Sequence, residues 1–125
     1  MLGRGDSDIG RALENIVYLE LLRRGYRVST GKVRTKIVKT GDAAKNQAIE
    51  VDFVVTKAGG EVEYYQVAWS VLSSEETLAR ELAPLEEIND NYPKYLLTMD
   101  PSDSMNKGIK RQNVLDWLLS SPATN

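Results

Sequence analysis

The order of elements readable along these 125 residues predicts an α/β domain: a three-layer sandwich with a central mixed sheet flanked by helices. Three observations carry that expectation. Apolar residues recur at helical spacing between Asp8 and Arg24. Two strand-like runs flank Ala58-Gly59-Gly60, the clearest hairpin signal in the chain. A second helical stretch, Glu75 to Asp90, is followed by the short apolar run Tyr95 to Met99, which reads as a buried strand.

Taken in order, Leu2 to Ser7 is expected to fray, and Asp8 is placed to cap a helix running to Arg24. Its wide apolar surface is Ile9, Leu13, Ile16, Val17, Leu19 and Leu22, and Gly25 closes it. Tyr26 to Ser29 and Lys32 to Lys39 read as strands parted by a Thr30-Gly31 turn, because β-branched residues alternate with Arg34 and Lys36. Gly41 to Gln47 reads as a loop. Ile49 to Lys57 and Glu61 to Ser70 form the central hairpin. Ser73 with Glu76 three residues on has the pattern of a capping box for the second helix, which Pro84 should kink or restart. Asp100-Pro101 ends the Tyr95 strand, Gly108 to Asn113 adds an edge strand, and Val114 to Leu119 is a last short helix.

Composition narrows the chemistry. With no cysteine and no histidine, disulfide frameworks, thiolate or imidazole metal sites and Ser-His-Asp catalysis are all excluded. Catalysis would have to run on carboxylates, lysine, tyrosine or a hard cation. The longest apolar stretch, Ile16 to Leu22, is interrupted by Glu20 and falls far short of the roughly 20 residues a bilayer span needs. The start has no apolar core of signal-peptide length, so the expected location is the cytoplasm. The formal charge of −2 hides an asymmetry: residues 1–50 carry ten cations against six acids, and residues 51–125 carry six against twelve.

Side chains alternate along a strand, so Glu50, Asp52 and Val54 are expected on one face and Val51, Phe53 and Val55 on the other. A three-residue loop with a left-handed Gly60 sets Asp52 opposite Gln66 and Glu50 opposite Ala68, whereas a two-residue Gly-Gly turn sets Asp52 opposite Val67. Acids in an apolar strand are costly to bury unless they bind a cation, accept hydrogen bonds or reach solvent. Glu14 poses the same question on the first helix, surrounded by Leu13, Val17, Tyr18 and Leu21. A solvated strand face and a favourable helix-dipole position are the plain alternatives for these acids.

Four segments together resemble a known family: Gly10 to Tyr26 (GRALENIVYLELLRRGY), Glu50 to Val54 (EVDFV), Tyr65 to Ala68 (YQVA) and Asn91 to Asp100 (NYPKYLLTMD). The family is the uncharacterised C-terminal domain of prokaryotic AAA-type ATP-binding proteins. That domain is itself similar to the PD-(D/E)XK, or restriction-endonuclease-like, nuclease superfamily, which implies a mixed sheet flanked by helices. Glu14 then matches the first-helix glutamate and Asp52 the aspartate of the "PD" element, with Glu50 in place of the proline. Gln66-Val67-Ala68 occupies the (D/E)-X-K element, so an amide replaces the second carboxylate and a methyl group replaces the lysine. In the active pattern the carboxylates hold Mg²⁺, which generates the attacking hydroxide, and the lysine assists at the developing anion.

The resemblance therefore implies a nuclease-fold binding or regulatory domain without hydrolytic activity. A weak Mg²⁺ site on Asp52, Glu50 and the Gln66 carbonyl is the metal it allows, with Lys32 or Lys36 as replacement cations. Two competing expectations are a divergent Mg²⁺-dependent nuclease using Glu14, Glu50, Asp52 and Gln66, and a nucleic-acid-binding module that no longer cuts. For the latter, a basic stripe including Arg24, Arg27, Lys32, Arg34 and Lys36 has the charge to track phosphates; solvated arginines at a helix end are the plain alternative. No GxxxxGK[ST] or GxGxxG phosphate loop is present. Family members carry their nucleotide-binding module before this domain, so an N-terminal ATPase module of the same longer protein is the expected partner, and uncovered apolar surface would favour self-association. Trp117 and Trp69 are expected in the core, Trp69 because it lies on the face opposite Gln66.

Overall fold

Helix α1 spans Arg4–Arg23, so it starts a turn before Asp8, and that residue lies inside the helix instead of capping it. The computed structural model describes residues 4–37, 45–101 and 103–120, and the side chains within them except those of 4–7, 34–37 and 45–47. Gly25, at φ +86°, ends the helix: its N–H donates to Leu22 O at 2.9 Å and Tyr26 N donates to Leu21 O at 3.2 Å.

Six strands and two further helices follow: β1 (Arg27–Ile37), β2 (Lys45–Thr56), β3 (Val62–Val67), α2 (Glu75–Glu87), β4 (Lys94–Thr98), β5 (Ser104–Asn106), β6 (Ile109–Asn113) and α3 (Val114–Leu119). The expected Thr30-Gly31 turn is instead part of one continuous strand, with Gly31 at φ +110° accommodating an irregularity in the pairing. Of the expected loop, 41–44 lie outside the described residues and 45–47 belong to β2. The cap of α2 is Ser74, whose Oγ accepts from Thr77 N at 3.0 Å; Ser73 Oγ reaches only Thr77 Oγ1, at 3.3 Å, so the expected Ser73–Glu76 capping box is replaced by a simple cap one residue later. Pro84 sits within α2 without ending it, because Leu82 and Leu85 on either side are buried and hold the helix to the sheet.

The strand order is β1-β2-β3-β4-β6-β5. β1, β2 and β3 form an antiparallel meander, α2 makes the crossover to parallel β4, β6 is parallel to β4, and β5 returns antiparallel at the edge. The sheet is thus mixed, and the fold is α/β as expected. β6 is not the edge strand: the three residues of β5, too short to show a pattern, pair outside it.

Neighbouring residues divide between two apolar cores, which places helices on both faces of the sheet. Leu13, Val17 and Leu21 of α1 and Val114 and Trp117 of α3 pack with Tyr65 and Leu97; Leu82 and Leu85 of α2 pack with Tyr64 and Leu96. Each such side chain contributes about 1.5–3 kcal/mol when fully buried. The apolar surface of α1 is only partly used, since Ile9, Ile16, Leu19 and Leu22 remain exposed. Trp117 is buried as expected, but Trp69 is 50% exposed, because β3 ends at Val67 and strand alternation no longer governs the residues beyond. Among the described residues, no helix is long and apolar enough to cross a membrane.

Candidate functional site

The site begins with the turn of the central hairpin. Lys57 N donates to Glu61 O at 2.8 Å, Gly60 N donates to Lys57 O at 2.9 Å, and Gly60 takes φ +90°. This is the three-residue loop with a left-handed glycine, and it fixes Phe53 opposite Tyr65. Carrying that register one step on brings Asp52 opposite Gln66, as the three-residue reading requires.

There the backbone ladder gives way to side chains. Asp52 N donates to Gln66 Oε1 at 3.0 Å, and Val67 N donates to Asp52 Oδ2 at 2.8 Å. The cause lies on the other side of β2. Its pairing with β1 passes from Ser29↔Val54 to Gly31↔Val51, so Asp52 and Phe53 together oppose Thr30. Such a bulge bends the strand and shifts the phase of its side chains. Val51 accordingly packs in the α2 core while Phe53 and Val55 pack in the α1 core, which corrects the expectation that these three share a face.

Two helices bring further carboxylates to the bulge. Glu14 of α1 is half-buried beside a cavity of about 360 Å³ that Arg11, Asn15, Tyr18, Thr30 and Phe53 also line. Burial raises its pKa, the charges of Asp52 and Glu81 raise it further, and Arg11 opposes them. Burial also raises the Asp52 carboxyl, against the hydrogen bond from Val67 N–H. Glu81 of α2 is raised by burial and by Asp52, with Arg80 and a hydrogen bond from the Gln66 amide opposing. Gln66 thus accepts from the Asp52 backbone and lies near enough to Glu81 to lower its pKa.

Glu14, Asp52 and Gln66 are thus gathered as expected. Glu50 is exposed and pairs across the ladder with Lys32, itself exposed. Asp52 Oδ2 and Gln66 Oε1 each accept a backbone N–H. Among the described residues, no group of three or more acidic, histidine or cysteine side chains is arranged to hold a metal ion. Ala68 N donates to Leu97 O at 3.0 Å, and its methyl group offers no charge.

Sequence reasoning missed Glu81, Arg11 and Arg80. Glu81 is one of five glutamates in an acidic helix, and only its adjacency to buried Leu82 marks it. Of the basic stripe, Arg24 is buried: Nη2 donates to Trp117 O at 2.7 Å and Nε donates to Glu20 at 2.8 Å. Arg27 and Lys32 are exposed on β1, and the side chains of Arg34 and Lys36 lie outside the described residues.

No family model matches the chain. It is similar to an uncharacterized protein of Haemophilus influenzae, 38% identical over 119 residues. Those residues make up 94% of this chain, yet the chain spans only 25% of that protein's length.

Proposed function

We propose that this chain is a non-hydrolysing, restriction-endonuclease-like domain that serves a cytoplasmic AAA-type ATPase as a binding or regulatory appendage. The observation that carries the reading is the engagement of Asp52 and Gln66 with each other's strands, at the positions where a nuclease of this pattern presents metal ligands. Position 68, where the pattern places its lysine, is alanine. The acids and the amide here hold a sheet together where its ladder has failed.

Partner recognition is supported by the outer face of α1, where Ile9, Ile16, Leu19 and Leu22 are exposed. The occupant we assign to it is the ATPase module of the same longer protein. A relative about four times as long as the matched region agrees with that assignment.

The test is incubation of plasmid DNA and RNA with the chain in Mg²⁺ or Mn²⁺, beside Asp52→Asn. Equal background in both is expected, and cleavage lost in the variant overturns the reading. Docking is tested by titrating the chain against the ATPase module. Ile16→Asp with Leu19→Asp should weaken binding about tenfold or more, and undiminished binding removes this face as the contact.

A further inference from the structure

A second concave site lies away from the carboxylates, beside the C-terminal ends of α1 and α3. It is a cavity of about 240 Å³ crossing β3, β4 and β6. Its floor is one connected chain of polar groups. Tyr65 Oη donates to Glu63 Oε1 at 2.8 Å, and Lys57 Nζ pairs with Glu63 Oε2 at 2.9 Å. Glu63 is only 6% exposed, so this network is closed and rigid. The Tyr65 ring stacks on Tyr95 with centroids 4.9 Å apart and meets Trp117 at 5.8 Å.

The rim differs. Among the described residues, the Tyr95 hydroxyl, the Gln112 amide and the Lys110 ammonium line the cavity without a side-chain hydrogen bond of their own. Arg24 and Lys57, the other cations of the lining, are already paired with Glu20 and Glu63. The site therefore offers aromatic surface, neutral hydrogen-bonding heads and the Lys110 ammonium, over a floor in which the charges of Lys57 and Glu63 cancel.

We propose that this cavity binds a small planar aromatic ring carrying a single anionic group. The ring lies against the half-buried Tyr26 and Tyr95, Tyr65 itself being buried and stacked on Tyr95. The anion meets Lys110, Tyr95 and Gln112 through charge-assisted hydrogen bonds. The volume falls below the roughly 300 Å³ at which sites for drug-sized ligands begin, which limits the ligand to one ring system and its anion. A mononucleotide and an aromatic carboxylate share this chemistry.

Nuclear magnetic resonance distinguishes them, because the chain has two tryptophans and only Trp117 lines the cavity. The ¹⁵N-labelled chain is titrated with adenosine 5′-monophosphate and with indole-3-acetate, each beside its dissected parts, adenosine and inorganic phosphate in the first case, indole and acetate in the second. We expect at least one intact probe to shift the Trp117 indole and leave Trp69 in place, about tenfold tighter than either of its parts. Lys110→Ala and Gln112→Ala, neither a member of the floor network, should weaken that probe and leave the bare ring unchanged. A response to adenosine 5′-monophosphate assigns the nucleotide class, and one to indole-3-acetate the carboxylate class. If neither probe moves Trp117, if both indoles move alike, or if Lys110→Ala binds as the native chain does, the proposal fails.

Discussion

Asp52 and Gln66 each satisfy the other's strand: the Gln66 carbonyl takes the Asp52 N–H, and the Asp52 carboxylate takes the N–H of Val67. The neutral amide of Gln66 also lowers the pKa of Glu81, which an ionised carboxylate in its place could not do. Gln66→Glu should therefore destabilise the chain by about 1–3 kcal/mol at neutral pH, by placing a fourth acid among Glu14, Asp52 and Glu81. Urea unfolding checks this, and the deficit should shrink in acid as the cluster protonates.

Asp52→Asn acts in the opposite sense. The folded-state pKa of Glu14, Asp52 and Glu81 is raised in each case, chiefly by burial. Folded chain thus binds more protons than unfolded chain above the ordinary carboxylate range, and the cluster's contribution to stability declines as pH rises through the raised values. The asparagine keeps an acceptor for Val67 N–H and removes a charge. Its melting temperature should exceed the native one at about pH 7 and converge with it at about pH 4.

Glu20 provides the reverse dependence. Hydrogen bonds from Arg23 and then Arg24, working against burial, hold its carboxyl at about 2, below its ordinary 4.5. That stabilisation is complete above the ordinary value and disappears as pH falls toward the folded one. Glu20→Gln should flatten the acid limb of the native chain's stability profile, read by circular dichroism.

Arg24 joins α1 to α3 through Trp117 O and Ser120 O, and its guanidinium lies 4.4 Å from the Trp117 ring centroid. With the side chain only 5% exposed, Arg24→Lys cannot reproduce this fork and should cost about 2–4 kcal/mol. The near-ultraviolet signal of Trp117 should change with it.

Ser74→Ala should cost about 1 kcal/mol by removing the acceptor for Thr77 N–H, whereas Ser73→Ala should cost only a few tenths. Paired thermal melts of the two variants check the displaced cap.

The hairpin was legible because glycine chemistry at Gly59-Gly60 is local, whereas its register stayed open between two turn types until the left-handed Gly60 decided it. The bulge at Asp52 was not. EVDFV alternates perfectly on paper, and the extra residue exists only in relation to Thr30 on a neighbouring strand. Trp69 was misplaced for a related reason, since alternation was extended past the point where pairing stops. Glu14, Asp52 and Gln66 were found through motif positions. Glu81 comes from the opposite face of the sheet, where nothing in an acidic helix separates a buried glutamate from its solvated neighbours.

β1 is the outermost strand beside β2, eleven residues long, with one row of peptide groups unpaired by the sheet. A border of that length invites an identical strand to zip onto it, the first step of fibrillar growth. Arg27 and Lys32 stand exposed along it, so a second copy that sets them against each other brings like charges together. Such apposed cations oppose self-templated pairing, and neutralising Arg27 and Lys32 is expected to make the concentrated protein more prone to cross-β deposits.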